Sequence, residues 1–271
     1  MTIPPFKVLY EAPRIVLFPD FVSQQEADKL LELAEPNYRD STVVDMETGG
    51  PTTNDYRTGE LALIDTKADV SIAIQQRVSE VCKTRLKQHE GLQVIKYGVG
   101  NQYLPHTDWF DYRIKGMLKV MRQGGQRVFS VIICLKEAQK GGETEFPKLK
   151  LKIKLKPREA LIFDNLRAED KVPDLDTTHA GRPVTIGEKV IVAFWIRERA
   201  FDGSEEPPNG MITMEDLKKI RTMREEACAA DLPKFLEHYN CMLRVVSSPY
   251  LDGDGMLNIQ TDMIIESKKE E

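Results

Sequence analysis

Histidine is scarce in this 271-residue chain, with four against 43 acidic and 38 basic residues. Long apolar runs are missing as well, so no segment is predicted to cross a membrane as a helix. The opening Met1-Thr-Ile-Pro-Pro-Phe6 has neither a basic stretch nor an apolar one, which argues against a secretory leader. A net charge of -5 supplies no basic face for nucleic acid. The four cysteines, Cys82, Cys134, Cys228 and Cys241, lack CxxC spacing, and in a chain of this length they are expected as reduced thiols. A soluble protein of a reducing, cytoplasmic compartment fits these absences.

What is present is a change of texture along the chain. Lys7–Tyr10 and Arg14–Phe18 read as short strands between proline breaks. Ser23-Gln-Gln-Glu26 is a capping box that opens a helix to about Ala34, where Pro36 stops it. Residues 41–64 read as a loop or hairpin leading into a strand, and residues 67–86 as a second helix. From Leu92 to Arg199, short apolar runs separated by Gly and Pro predict a sandwich or barrel of many strands. Within it, residues 150–156 alternate lysine with Leu or Ile, the pattern of a strand with one solvated face. Residues 113–126 interrupt this region with Gly116, Gly124, Gly125 and several basic residues, and read either as a mobile lid or as a long hairpin connection. Residues 1–200 form one expected domain. Residues 201–271 are expected as a helical extension and tail, with a linker at 202–210 and helical patterns at 214–229 and 232–241. Asp252-Gly-Asp254-Gly255 lacks acidic residues at the first and last positions of a calcium loop, Tyr250 and Thr261, so it reads as a surface turn.

The histidines carry the chemistry. In His106-x-Asp108 both side chains project to the same side of an extended strand. A third ligand must come from a neighbouring strand, and His179 begins the approach to the strongly β-like Lys189–Ile196. Two imidazoles and one carboxylate on one face of an octahedral ion leave the opposite face open, the arrangement of non-heme Fe(II) oxygenases. Taken singly, each residue has a blander reading: a solvated His-x-Asp pair at a strand edge, and a satisfied core or turn histidine at His179. His89 precedes a predicted strand and His238 lies in a predicted helix.

Residues at fixed offsets from these three decide between the readings. Lys96-Tyr97-Gly-Val-Gly-Asn-Gln-Tyr103-Leu-Pro-His106-Thr-Asp108 is followed by Arg127-Val-Phe-Ser-Val-Ile and Gly141-Gly-Glu-Thr144-Glu-Phe-Pro147. Then come Ala160-Leu-Ile-Phe163-Asp-Asn165, His179-Ala-Gly-x-Pro183, Gly187-Glu-Lys189 and Trp195-Ile196. This ordered set resembles the prolyl 4-hydroxylase branch of the Fe(II)/2-oxoglutarate dioxygenases, over roughly residues 10–199.

The resemblance implies a mainly β fold with flanking helices around a double-stranded β-helix of the jelly-roll or cupin type. It assigns Fe(II) to His106, Asp108 and His179. Lys189 would pair with the far carboxylate of 2-oxoglutarate, helped by the hydroxyls of Tyr97 and Thr144. Arg57, Tyr103, Arg127 and Trp195 fall on the substrate side, where aromatic faces suit an imino-acid ring and an arginine can fork onto a carbonyl or a carboxylate. Trp195 also reads as a core residue. The implied cofactors are Fe(II), 2-oxoglutarate and O2, with ascorbate as reductant and succinate and CO2 as co-products. Asp108 favours hydroxylation, because related halogenases carry Ala or Gly at that ligand position. The chain shows neither the reticulum signal nor the separate peptide-binding domain of the collagen-modifying enzymes. A free imino or amino acid, such as proline or its six-membered homologue, is therefore favoured slightly over a prolyl residue in a peptide. A non-catalytic 2-oxoglutarate sensor is the third reading, and the complete ligand set argues against it.

Overall fold

Alternating burial along the strands sets the architecture, in which one face of a large sheet meets helices and the other meets a second sheet. The computed structural model describes residues 4–53, 55–111, 114–169, 171–201, 241–251 and 257–267. β1 (Lys7–Tyr10) and β2 (Ile15–Phe18) form an antiparallel pair. α1 (Gln24–Ala34) follows. The Glu26 amide donates to Ser23 Oγ at 3.1 Å and the Ser23 amide donates to the Glu26 carboxylate at 2.7 Å, the reciprocal cap expected of that sequence.

Next come β3 (Arg39–Asp40), a small hairpin of β4 (Val43–Val44) and β5 (Pro51–Thr52), and β6 (Glu60–Leu63). α2 (Asp69–Cys82) is shorter than the predicted 67–86 because Lys83 turns left-handed and ends it. β7 (Gln93–Tyr97) and β8 (Tyr103–His106) lead to α3 (Lys115–Met121). The 113–126 insertion carries a short helix, and because β8 and β9 belong to different sheets it is not a hairpin connection. β9 (Arg127–Lys136), β10 (Lys140–Gly141), β11 (Thr144–Phe146) and β12 (Leu151–Ile153) follow. β13 (Ala160–Asp164), β14 (His179–Gly181), β15 (Val184–Ile186) and β16 (Lys189–Arg197) complete this part of the chain.

The large sheet runs β1-β2-β13-β9-β16-β7-β6-β3, and the smaller one β12-β11-β14-β8. Together they make the double-stranded β-helix. On β16, Val190, Val192, Phe194 and Ile196 pack with Leu30, Ile74 and Val78 of the two helices. Residues of opposite parity, Ile191 and Ala193, join Ile95, Ile132, Phe146 and Phe163 in the cluster on the other side. Burying each large apolar side chain contributes about 1.5–3 kcal/mol, so both faces of the sheet are strongly specified. The lysine-alternating segment keeps its expected pattern around β12, with Ile153 and Leu155 buried and Lys152 exposed. Two of its four lysines are ion-paired, Lys152 with Glu145 at 3.3 Å and Lys156 with Glu137 at 2.9 Å. Cys82 and Cys134 are free and buried.

Met1–Pro207 and Pro208–Glu271 are two compact units. In the second, β17 (Cys241–Leu251) pairs antiparallel with β18 (Leu257–Ser267), Cys241 opposite Ser267 and Leu251 opposite Leu257. A helical extension and tail is the expectation for this region. The β-branched pairs Val245-Val246 and Ile264-Ile265 favour strand instead. The helices predicted at 214–229 and 232–241 lie outside the described residues, save Cys241, as does the turn at 252–255.

Candidate active site

Register brings the two distant histidines together. β8 and β14 are antiparallel neighbours with His106 directly opposite His179. The ring Nδ1 of His106 meets the Leu104 carbonyl at 2.8 Å, and Nδ1 of His179 meets the Thr177 carbonyl at 3.0 Å. A carbonyl only accepts, so each hydrogen sits on Nδ1 and each Nε2 is left as an electron-pair donor. The Asp108 carboxylate lies between them, Oδ1 3.6 Å from His106 Nε2 and Oδ2 3.5 Å from His179 Nε2. One ligand atom from each residue falls within 4.8 Å of the others.

Ser130 on β9 donates to Asp108 Oδ2 at 2.6 Å, and Asn165 Nδ2 donates to Ser130 Oγ at 2.9 Å. Because Asn165 occupies the acceptor side of the hydroxyl, the Ser130 hydrogen is directed at the carboxylate. Sequence reasoning passed over both residues, although each lies inside a motif segment that carried the resemblance. For Ser130 the signal available was a polar residue between apolar neighbours on a buried strand, whereas Asn165 follows the end of β13 and gave no such signal.

Burial and the neighbouring His179 hold the His106 imidazole well below the ordinary histidine range. Burial alone would raise the Asp108 carboxyl, but His179, His106, Arg127 and the Ser130 hydroxyl outweigh it and hold it low. A neutral imidazole and an ionised carboxylate are the protonation states a metal ion requires of its ligands.

Lys189 sits opposite Tyr97 in the β16–β7 ladder, with its amine 6.0 Å from the tyrosine ring. It is buried and has no ion-pair partner among the described residues, and burial pushes its pKa down to about 8. A Cβ added at Gly142 would stand 3.2 Å from the Lys189 Cδ, so glycine leaves room for the lysine stem. A buried cation without an anion is costly. With Thr144 and Tyr97 lining the same chamber, Lys189 fits a ligand with a free carboxylate, and the triad fits an octahedral metal open on one side. Fe(II) and 2-oxoglutarate match these residues.

Every predicted site residue except Arg127 lines this chamber, whose volume is about 50 Å³. A larger cleft of about 670 Å³ opens in front of it, sharing Tyr103, His106 and Asp108, and running between the β4–β5 hairpin and α3. Tyr103 stacks on His106 with ring centroids 3.4 Å apart, and Arg57 lies 5.2 Å over Tyr103. Arg57 donates to the Thr42 carbonyl at 3.2 Å and to Gln93 Oε1 at 3.4 Å, while its Nε is buried without a partner. Trp195 is buried yet lines the chamber, so its core and site readings coincide. Arg127 lies 3.7 Å over the Trp195 ring. It lines the cleft in front rather than the chamber, and part of its fork is committed, because Glu90 accepts from Nε at 2.7 Å and from one terminal nitrogen at 2.8 Å. Glu90 is the site residue that sequence reasoning missed most completely, since it lies outside every matched segment.

Residues 92–197 match the model of the 2OG-Fe(II) oxygenase superfamily. The chain is 31% identical over 217 residues to prolyl 4-hydroxylase 5 of Arabidopsis thaliana, covering 72% of each chain. With prolyl 4-hydroxylase subunit alpha-1 of Rattus norvegicus the identity is 33% over 193 residues, or 70% of this chain and 35% of that longer subunit. A crystal structure of the viral collagen prolyl hydroxylase from Paramecium Bursaria Chlorella virus-1, in complex with 2OG, superposes with a TM-score of 0.52. Identity there is 26%, over 68% of this chain and 95% of the viral one.

Proposed function

The chain belongs to the prolyl 4-hydroxylase-like 2OG-Fe(II) oxygenases, and from that premise we propose that it hydroxylates a prolyl residue within a peptide. It is a 2-oxoglutarate-dependent dioxygenase, with Fe(II), 2-oxoglutarate and O2 as cofactors. When bound, these supply the oxidising power that inserts one oxygen atom into a C–H bond, releasing succinate and CO2.

His106, Asp108 and His179 hold the metal in this reading, and Ser130 keeps the Asp108 carboxylate in one orientation. Lys189 neutralises the far carboxylate of 2-oxoglutarate while Tyr97 and Thr144 hydrogen-bond to it. Tyr103 and Trp195 form an aromatic frame for the proline ring, and the Arg57 guanidinium over the Tyr103 ring supplies positive charge beside a substrate carbonyl. Together they aim one C–H bond at the open face of the metal site and keep water out. Ascorbate as reductant and a reducing, cytoplasmic compartment complete the proposal, and the free buried thiols of Cys82 and Cys134 agree with the latter.

The observation that carries a peptide substrate is the cleft of about 670 Å³ in front of the triad, many times the size of one imino acid. The partly committed fork of Arg127 agrees, since it weakens one of two cations that could grip a free carboxylate. A collagen prolyl hydroxylase is also among the structures this chain resembles. One observation favours the free acid instead: Arg57 is buried without a carboxylate partner among the described residues. Substrate-stimulated succinate release separates the two. Proline-containing peptides are expected to stimulate it and free proline or its six-membered homologue to leave it at background, and the reverse pattern would overturn the proposal.

A further inference from the structure

The α3 insertion is anchored at both ends, and one anchor reaches the substrate wall. At its start, the Gly116 amide donates to the Met46 carbonyl of the β4–β5 hairpin at 2.9 Å. The contact is so close that a Cβ on Gly116 would stand 2.5 Å from that oxygen and 2.6 Å from the Asp45 oxygen. Gly49, at φ +73, meets the Gly116 carbonyl in the same way at 2.6 Å. Only glycine at these positions lets helix and hairpin touch.

At its end, α3 is closed by arginines from β16 and the residues just beyond it. Arg197 donates to the Val120 carbonyl at 2.9 Å and to the Gln123 carbonyl, and Arg199 donates to the Met121 carbonyl at 3.4 Å. Cations at the carbonyl end of a helix are the favourable arrangement. Arg197 is almost wholly buried, and its other terminal nitrogen donates to Glu90 Oε1 at 3.0 Å. Glu90 is the same carboxylate that grips Arg127. Phe110 lies between the two guanidinium groups, 4.7 Å from that of Arg127 and 4.8 Å from that of Arg197. A chain of contacts therefore runs from α3 through Arg197, Glu90 and Arg127 to Trp195.

We propose that Arg197 is a positioning residue for substrate selection: through Glu90 it locks α3 to the Arg127–Trp195 wall, and α3 thereby selects an apolar side chain beside the reactive proline. The selected side chain follows from what α3, its N-cap and the facing hairpin present to the cleft, where Ile114 and Met117 stand against Val43, Val44 and Met46, with Asp45 and Glu47 of the hairpin beside them. The inference rests on the peptidyl reading above. Arg197 itself does not line the cleft, so it acts only through its neighbours.

The test compares proline peptides carrying leucine or the neutral, polar glutamine next to the proline, using the full chain with Fe(II) and 2-oxoglutarate, because Asp45, Glu47 and Asp111 in the cleft would repel an acidic side chain by charge alone. The unaltered protein is expected to prefer the leucine peptide. Arg197→Gln should raise KM for that peptide about tenfold and flatten the preference, leaving KM for 2-oxoglutarate unchanged. Arg197→Lys, which keeps the charge but not the fork, should restore part of the preference. Because removing a buried arginine endangers folding, Gly116→Ala probes the other anchor. It should raise the same KM with a smaller loss of Tm than Arg197→Gln, because the clash is confined to the hairpin contact, and the double variant should fall short of the summed effects. Preference retained in a folded Gly116→Ala variant, or peptide and 2-oxoglutarate KM rising together, would overturn the assignment. Turnover of free proline with none of peptides would remove the peptidyl reading and this inference with it.

Discussion

The chamber behind His106, Asp108 and His179 and the cleft in front of them are built by different means. The chamber is narrow, about 50 Å³, and its polar groups come mostly from strands whose register is set by two apolar clusters. Lys189 faces Tyr97 and His106 faces His179 because those strands cannot slip without turning whole apolar faces outward. The cleft is about 670 Å³, and its walls are a two-residue-stranded hairpin, the turn after β8 and a seven-residue helix. Loops held by point contacts can vary without disturbing the sheets, so chemistry and substrate choice occupy separable parts of one barrel.

The sharpest way to break that division is to remove a ligand. His179→Ala leaves one imidazole and one carboxylate, and succinate formation is expected to vanish together with Co(II) binding followed by its absorption spectrum. Retained metal binding would show that the triad is not the metal site. Next in size is Lys189→Met. Removing one partner of a buried charge pair costs about 2–4 kcal/mol, so KM for 2-oxoglutarate should rise by about 30- to 1000-fold. The 2-oxoglutarate-free protein should melt at a higher temperature, because an uncompensated buried charge is gone. An equal rise in peptide KM would erase the separation between chamber and cleft.

Ser130→Ala tests the chamber one bond further out. Loss of a group that orients a metal ligand typically weakens binding by about 10- to 100-fold, so Co(II) affinity should fall by that amount while peptide KM stays put. Ser130→Thr keeps the hydroxyl and should restore it.

The pH dependence is smaller still. Burial sets the Lys189 pKa at about 8, below its ordinary 10.5. The far carboxylate of 2-oxoglutarate binds the protonated amine, so affinity measured by calorimetry should fall as pH rises through about 8, by about tenfold per unit beyond it. Between about 8 and 10.5 the unfolded chain holds the extra proton, so stability of the 2-oxoglutarate-free protein should rise with pH across that window. Lys189→Met should abolish both trends.

The two spaces also differ in how far the sequence revealed them. The i, i+2 spacing of His106 and Asp108 suggested one strand face, but β8 ends at His106 and Asp108 reaches the site from the turn that follows. The motif segments around Tyr97, Thr144, His179 and Lys189 all lie in strands that the apolar pattern specifies locally. Ser23 and Glu26 announced α1 in the same way. The cleft was not legible. Glu90 reaches Arg197 across 107 positions and Arg127 across 37. No local pattern encodes such a pairing, so Arg127 looked open when part of its fork was already filled. The helix inside the insertion was hidden too, because Gly116 reads as a helix breaker until the hairpin backbone that requires it is in view. The β17–β18 ribbon was missed for another reason, since polar residues interrupt its β-branched pairs.

The gentlest test lies on the cleft side alone. Met117 lines the cleft from α3 and is only partly buried, so truncating it removes apolar contact without opening the core. Met117→Ala should cost about 1 kcal/mol of peptide binding, roughly a fivefold rise in peptide KM. KM for 2-oxoglutarate, Co(II) affinity and Tm should not move, because Met117 does not line the chamber. Among the described residues Arg197, Glu90 and Arg127 link α3 to the chamber wall, so a shift in 2-oxoglutarate affinity would mean that this ion-pair relay transmits the state of the cleft wall to the metal. The barrel would then couple substrate choice to cofactor binding rather than keep them apart.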